Sequence, residues 1–270
     1  NLFGFDKKGD AMQKWLDLEN KVVIVTGGSS GIGKRMCQSF MEQGAQVVIV
    51  DLHTPEEMES CTFICCDVTS KDEVEQMVCQ VMEIFGHIDV LVNNAGVSIP
   101  RLLVDADSKY ELDDIVFDKT MDVNVKGTFH CAQACAKSML RQHHGVILNI
   151  SSECSKEGSL AQSVYSASKA AIESLTRSWA KELSPQGIRV VAIAPGPMEA
   201  TALFSASYID AMCHCRHIQP EAIGTTYHAA TLMGREGHLE EIANTVLFLA
   251  SDRASFITGT TINVSGGKSR

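Results

Sequence analysis

Hydrophobic positions along the chain follow two rhythms that take turns. Short strand-like segments, mostly apolar and rich in β-branched residues, occur at Val22-Val23-Ile24-Val25, Val47-Val48-Ile49-Val50, Thr62-Phe63-Ile64-Cys65-Cys66, residues 88–92, Val146-Ile147-Leu148-Asn149-Ile150, residues 189–194 and residues 258–264. Runs of this kind lack alternation, as expected of parallel strands covered on both faces. Helical stretches lie between them, up to Gln43, from Ser70 to Phe85, through the segment holding Tyr165 and Lys169, and from Leu239 to Leu249. Strand followed by helix, repeated, predicts an α/β chain. Residues 1–11 show no clean period and are read as a leader segment, leaving 12–270 as a single catalytic domain. Residues 202–235 carry little regular pattern until Glu221, and a loop that long inside a compact domain is usually functional.

Composition narrows the class. The 270 residues are 45% apolar and 21% charged, which suits one soluble domain with a substantial core. The apolar runs stop at five or six residues, well short of the roughly 20 a membrane helix needs. The cytoplasm is the expected compartment. Ten cysteines sit mostly within apolar segments, including Cys37, Cys65, Cys66, Cys79, Cys131 and Cys135, and are expected as reduced, buried thiols. A net charge of −10 argues against nucleic acid and anionic membrane as partners, because both reward clustered Lys and Arg.

The first strand runs directly into Thr26-Gly27-Gly28-Ser29-Ser30-Gly31-Ile32-Gly33 and then a helix. Gly27 makes a tight turn, Gly31 lets backbone approach a pyrophosphate, and Gly33 lets helix pack on strand. Ser29, Ser30 and Ile32 complete the loop, whose helix N-terminus faces the phosphates. Asp51 closes the second strand, where a carboxylate accepts from ribose hydroxyls and repels a 2′-phosphate, so NAD is favoured over NADP. Asp67, followed by Val68, either touches adenine or caps the next helix. Tyr165 and Lys169 stand four apart on one helix face, so an ammonium lies where it can stabilise a phenolate. Ser152 follows the fifth apolar run, at a strand end where its hydroxyl can hold a substrate oxygen beside the phenol.

The glycine loop, Asn93-Asn94-Ala95-Gly96, Ser152 and Tyr165-Ser166-Ala167-Ser168-Lys169 resemble the short-chain dehydrogenase/reductase superfamily, from about Lys21 to the C-terminus. The resemblance implies a doubly wound, Rossmann-type domain with a seven-stranded parallel sheet, a nicotinamide cofactor and often a tetramer. It implies that Tyr165, Lys169, Ser152 and Asn124 are catalytic, with Asn124 holding a water in a proton relay behind Lys169. It places Asn94, Ala95 and Gly96 on the cofactor, and Pro195, Gly196, Met198 and Thr201 in a loop against the nicotinamide face, followed by a substrate lid at about 198–235. The spacing to Thr201 is one residue longer than the commonest form.

Several stretches resemble the sorbitol-6-phosphate 2-dehydrogenase branch of that superfamily: residues 99–105, Lys109-Tyr110-Glu111-Leu112, the Glu153 and Glu157 pair, Ala194-Pro195-Gly196 to Ala200-Thr201, and Asn263-Val264-Ser265-Gly266-Gly267-Lys268. That branch oxidises a phosphorylated hexitol with NAD. Glu153 and Glu157 then accept from polyol hydroxyls, or lie in solvent, and Arg101 or Arg216 pairs with a phosphate, or with a surface carboxylate. A 3-oxoacyl-carrier reductase, a free-polyol dehydrogenase and a non-enzymatic NAD-sensing scaffold are the competing readings. Cys213-His214-Cys215-Arg216-His217 offers metal-binding side chains, but adjacent residues do not readily share one tetrahedron, and no metal is expected.

Overall fold

The structure is a computed structural model and describes residues 15–56, 61–201, 204–223 and 230–268. Seven strands join one parallel sheet: β1 Val22–Thr26, β2 Gln46–Asp51, β3 Cys61–Cys65, β4 Val90–Asn93, β5 Gly145–Ile150, β6 Ile188–Pro195 and β7 Thr261–Val264. Their order across the sheet is β3-β2-β1-β4-β5-β6-β7. The order reverses between β1 and β4, which opens a crevice at the carboxyl ends of the strands.

Alternate residues of each strand enter different cores. Val23, Val25, Val47 and Ile49 pack with Met36 and Phe40 of helix α1 (Gly31–Glu42) and with Ile242 and Val246 of helix α8 (Leu239–Ala250). Val22, Ile24, Val48 and Val50 point the other way. They meet Val74, Met77 and Val81 of α2 (Lys71–Phe85) and Cys131, Cys135 and Met139 of α4 (Thr128–Gln142). Burying both faces explains why the strands read as unbroken apolar runs, each side chain contributing about 1.5–3 kcal/mol of transfer free energy. Helix α2 starts where the Ser70 side chain accepts the Glu73 amide and stops at Gly86, whose φ of 78° suits glycine.

Beyond shifts of one residue, two strand boundaries and one helix differ from the sequence reading. Residues 88 and 89 precede β4, because Gln142 binds the Ile88 backbone and the Asp89 carboxylate accepts the Val22 amide at 2.8 Å. Residues 258–260 precede β7, because the Thr258 hydroxyl is engaged by the Val190 amide and Gly259 turns at φ 68°. An eleven-residue helix, α7 (Ala206–Arg216), forms where the sequence shows little regular pattern. Its buried residues Tyr208, Ala211, Met212 and Cys215 do recur at helical spacing, but Ala and Cys carry a weak hydrophobic signal. Residues 1–11 and parts of the lid, 202–203 and 224–229, lie outside the described residues.

Cys65 and Cys79 are exposed, contrary to expectation, being on an edge strand and the outer face of α2. Among the described residues, no helix is long and apolar enough to cross a membrane.

Candidate active site

The crevice at the strand ends is a cleft of about 1040 Å³, lined from the glycine loop at one end to Tyr165 at the other. Two positive-φ glycines shape its floor, Gly27 at 64° and Gly31 at 52°. Gly33 is packed so closely that a Cβ there would fall 2.0 Å from the Gly27 carbonyl oxygen, and it stands behind the lining. Ser29 is also set back, donating its amide to Asp51 Oδ2 at 3.0 Å. The remaining loop residues Gly27, Ser30, Gly31 and Ile32 line the cleft together with Asp51, Asp67, Val68, Asn94, Ala95 and Gly96.

Asp67 does not cap α2; Ser70 does. The Asp67 carboxylate instead accepts from the amide and hydroxyl of Thr69, each at 2.8 Å, which fixes a turn at the cleft wall. Pro195, Gly196, Met198 and Thr201 line the opposite wall, so the longer spacing before Thr201 still brings it beside Gly31. A glycine loop shaped by close backbone packing, a helix N-terminus and a carboxylate at the end of β2 are features that suit the pyrophosphate and adenosine ribose of a dinucleotide.

Ser152, Tyr165 and Lys169 meet in the same cleft. A short helix α5 (Cys154–Glu157) follows β5, and helix α6 (Ser163–Leu183) carries Tyr165 and Lys169, with the Lys169 ammonium 5.7 Å from the phenol ring centroid. That ammonium donates to the Ile150 carbonyl at 2.8 Å, is only 5% exposed, and is pushed down to about 8 by burial. Burial also pushes the Tyr165 phenol up, assisted by neighbouring Cys154, Glu153 and Tyr208, while a hydrogen bond with Ser152 works the other way. The lysine is therefore beside the phenol as expected, yet burial leaves the phenol raised, not lowered.

Asn124 is buried behind Lys169 and does not reach the cleft. It lies in a π-helical turn, Asp122–Gly127, which interrupts the helix between α3 (Asp114–Met121) and α4. Its amide closes a reciprocal pair with Val97, accepting the Val97 amide at 2.8 Å and donating to the Val97 carbonyl at 3.0 Å. It also donates to the Ser168 hydroxyl at 3.0 Å. A Cβ on Gly96 would come within 3.2 Å of Asn124 Oδ1 and 3.5 Å of Lys169 Nζ, so both flank that glycine.

Of the residues assigned to substrate, Glu153 alone lines the cleft. Glu157 turns to Lys268, at 3.3 Å. Arg101 stacks on the Tyr110 ring, 5.3 Å from its centroid, and Arg216 donates to the Ser159 hydroxyl at 2.9 Å. Neither arginine lines the cleft, and the Lys and Arg side chains among the described residues that do are Lys119 and Lys169. Sequence reasoning missed a polar cluster on the wall, in which the Gln162 amide donates to Ser98 at 2.9 Å and to the Tyr208 hydroxyl at 3.2 Å. Gln162 immediately precedes α6, three residues before Tyr165, and that position was its one local signal. His214 is occupied by Asp105 at 3.1 Å, tying α7 to the 101–112 loop; Asp107 lies close to both, within a 4.8 Å grouping.

Residues 27–269 match the family described as enoyl-(acyl carrier protein) reductase, and the chain belongs to the short-chain dehydrogenase/reductases, the nicotinamide-dependent alcohol dehydrogenases and reductases. Among individual proteins, it is 44% identical over 266 residues to the sorbitol-6-phosphate 2-dehydrogenase of Klebsiella pneumoniae, covering 96% of this chain and 100% of that one. It is 35% identical to the 3-oxoacyl-[acyl-carrier-protein] reductase FabG of Thermotoga maritima, covering 93% and 98% respectively. A solved structure of NAD+-bound xylitol dehydrogenase superposes with a TM-score of 0.81 at 28% identity, covering 93% of this chain and 99% of that one.

Proposed function

We propose that this chain is an NAD-dependent dehydrogenase that interconverts a secondary alcohol and its ketone, with sorbitol 6-phosphate and fructose 6-phosphate as the pair. The observation that carries the reading is the meeting of Ser152, Tyr165 and Lys169 in one cleft with Asp51 and the glycine loop. Bound there, the nicotinamide supplies the hydride acceptor.

The chain's own residues handle the proton. Ser152 holds the substrate oxygen, and Tyr165 removes the hydroxyl proton in the oxidising direction or returns one to the ketone. Lys169, fixed to the Ile150 carbonyl at the end of β5, keeps a cation beside the phenol as it gains charge. Asn124 positions the 97 backbone and Ser168 behind that ammonium and completes the relay.

Asp51 supports NAD over NADP. Its two oxygens accept the Ser29 amide at 3.0 Å and the His53 amide at 3.2 Å, which fixes a negative charge where a 2′-phosphate would sit. The polyol is supported by the 44% identical relative and by a charged wall at Glu153, which suits hydroxyl groups better than an acyl chain.

The deciding experiment offers sorbitol 6-phosphate, free polyols and an acetoacetyl thioester (with NADH or NADPH) in parallel, reading absorbance at 340 nm with each cofactor form. NADH formation with sorbitol 6-phosphate at a kcat/KM well above that for free polyols is expected. Reduction of the thioester alone would replace the substrate assignment.

A further inference from the structure

The chain turns back on itself just after β7. Gly266 and Gly267 both adopt positive φ, 59° and 82°, and the Lys268 amide donates to the Ser265 carbonyl at 3.1 Å. This turn lies against Pro195-Gly196, where a Cβ on Gly196 would fall 2.5 Å from the Ser265 Cα. It delivers Lys268, 115 residues away in sequence, to the segment that carries Ser152: the ammonium donates to Glu153 Oε1 at 2.8 Å. The other oxygen of that carboxylate, Oε2, accepts the Ser152 hydroxyl at 3.3 Å. Glu153 is only 7% exposed, and a carboxylate that buried requires a partner.

We infer that Lys268 is a positioning residue of the candidate site, orienting the Glu153 carboxylate against the Ser152 hydroxyl and offsetting its charge where it faces Tyr165. The inference rests on the proposed roles of Ser152 and Tyr165. Geometry carries it: one oxygen of Glu153 is taken by the lysine, which leaves the second for Ser152 and for a substrate hydroxyl at the cleft wall. Electrostatics agree. Around the phenol stand Lys169 on α6, Cys154 and Glu153 on the β5–α6 segment, and Tyr208 on α7, and Glu153 is one of the groups raising it. Facing Lys268 are Glu153, Glu157 and Cys154; burial opposes its charge most strongly, but the two carboxylates together outweigh burial and raise the amine.

The test is the pH profile of kcat/KM for alcohol oxidation in wild type, K268M, K268R, E153Q and the E153Q/K268M pair. Lys268→Met is expected to move the acid limb about one pH unit upward and to lower kcat/KM at pH 7.5 about tenfold. Lys268→Arg restores the wild-type profile, and Lys268→Met causes no further shift once Glu153 is Gln. An unchanged profile in K268M, or the same shift with or without Glu153, would overturn the inference. All variants are compared on whichever secondary alcohol the wild type oxidises, so failure of sorbitol 6-phosphate alone removes the substrate assignment and leaves this test intact. A second reading needs no turnover: ¹³C-methylated Lys268 should titrate above the exposed lysines in wild type and fall back in E153Q. A Lys268 amine indistinguishable from exposed lysines in wild type also counts against it.

Discussion

Asn94 and Thr26 clasp one another across the cleft floor. The Thr26 hydroxyl oxygen accepts the Asn94 amide at 3.0 Å, and the Asn94 side-chain amide donates to the Thr26 carbonyl at 3.1 Å and the Gly27 carbonyl at 3.0 Å. The same hydroxyl oxygen accepts the Ala95 amide at 3.0 Å. The end of β4 thus holds the glycine loop in place, and the Asn-Asn-Ala-Gly segment braces the cofactor floor as well as lining it. Thr26→Val keeps the shape of a buried side chain and strands two amides, at a cost of about 2–5 kcal/mol. Urea denaturation should show that loss, and NADH fluorescence titration should show weakened binding.

Gly33 allows a sharper test of the loop. A methyl group there would overlap the Gly27 carbonyl and crowd the Asn94 amide at 2.7 Å, and both of those atoms are fixed by the clasp. Gly33→Ala is therefore expected to abolish NADH binding measured by fluorescence. Gly86→Ala is the control for a simple loss of glycine: its left-handed φ is strained, but no atom of the described residues lies within 4 Å of the added Cβ, so it costs only about 1 kcal/mol and leaves NADH binding intact.

The sheet and the cofactor end of the cleft were legible because their signals are local. Unbroken β-branched runs mark buried strands, and glycines at fixed offsets after β1 mark the loop. What the sequence withheld depends on partners far along the chain. Asn93 and Asn149 pair side by side on neighbouring strands, 2.9 Å apart, with Thr176 completing the chain at 2.9 Å, yet each reads locally as a polar interruption. Asn124 reads as a flaw in a helix, and the structure turns it into a π-helical widening that presents its amide to Val97. Arg101 and Arg216 carry the charge a phosphate wants, but charge does not reveal that Tyr110 and Ser159 engage them away from the cleft lining. The partner of Glu157 is equally hidden, since Lys268 arrives from far along the chain.

Asp51 sets the cofactor preference in this reading. Asp51→Ala removes the charge that opposes a 2′-phosphate, and kcat/KM with NADP should rise at least about tenfold relative to NAD. Parallel assays at 340 nm with both cofactors measure the ratio. An unaltered ratio would mean that Asp51 does not face the ribose.

Tyr165→Phe removes the hydroxyl while keeping the ring, so turnover should fall about 10²–10⁴-fold with NADH binding retained. The direction of the pH dependence follows from the raised phenol. A protonated phenol is ready to reduce a ketone, whereas oxidation needs it deprotonated. Rates of alcohol oxidation should therefore climb toward alkaline pH and rates of ketone reduction decline, a crossing visible when both directions are assayed from pH 6 to 10.

Lys169 is costly to the fold. Burial pushes its amine from 10.5 down to about 8, so between those values the unfolded chain holds a proton that the folded chain has released. Stability contributed by this group therefore rises with pH across that window and is lowest below about 8, where the folded protein must bury an ammonium. Lys169→Met removes that penalty, of order a few kcal/mol, and loses one hydrogen bond to the Ile150 carbonyl worth about 1 kcal/mol. The variant should be inactive yet melt at a higher temperature than wild type at pH 7, with the gap closing by pH 10. Scanning calorimetry at the two pH values decides it, and a variant less stable at both would show that the lysine's contacts outweigh its desolvation.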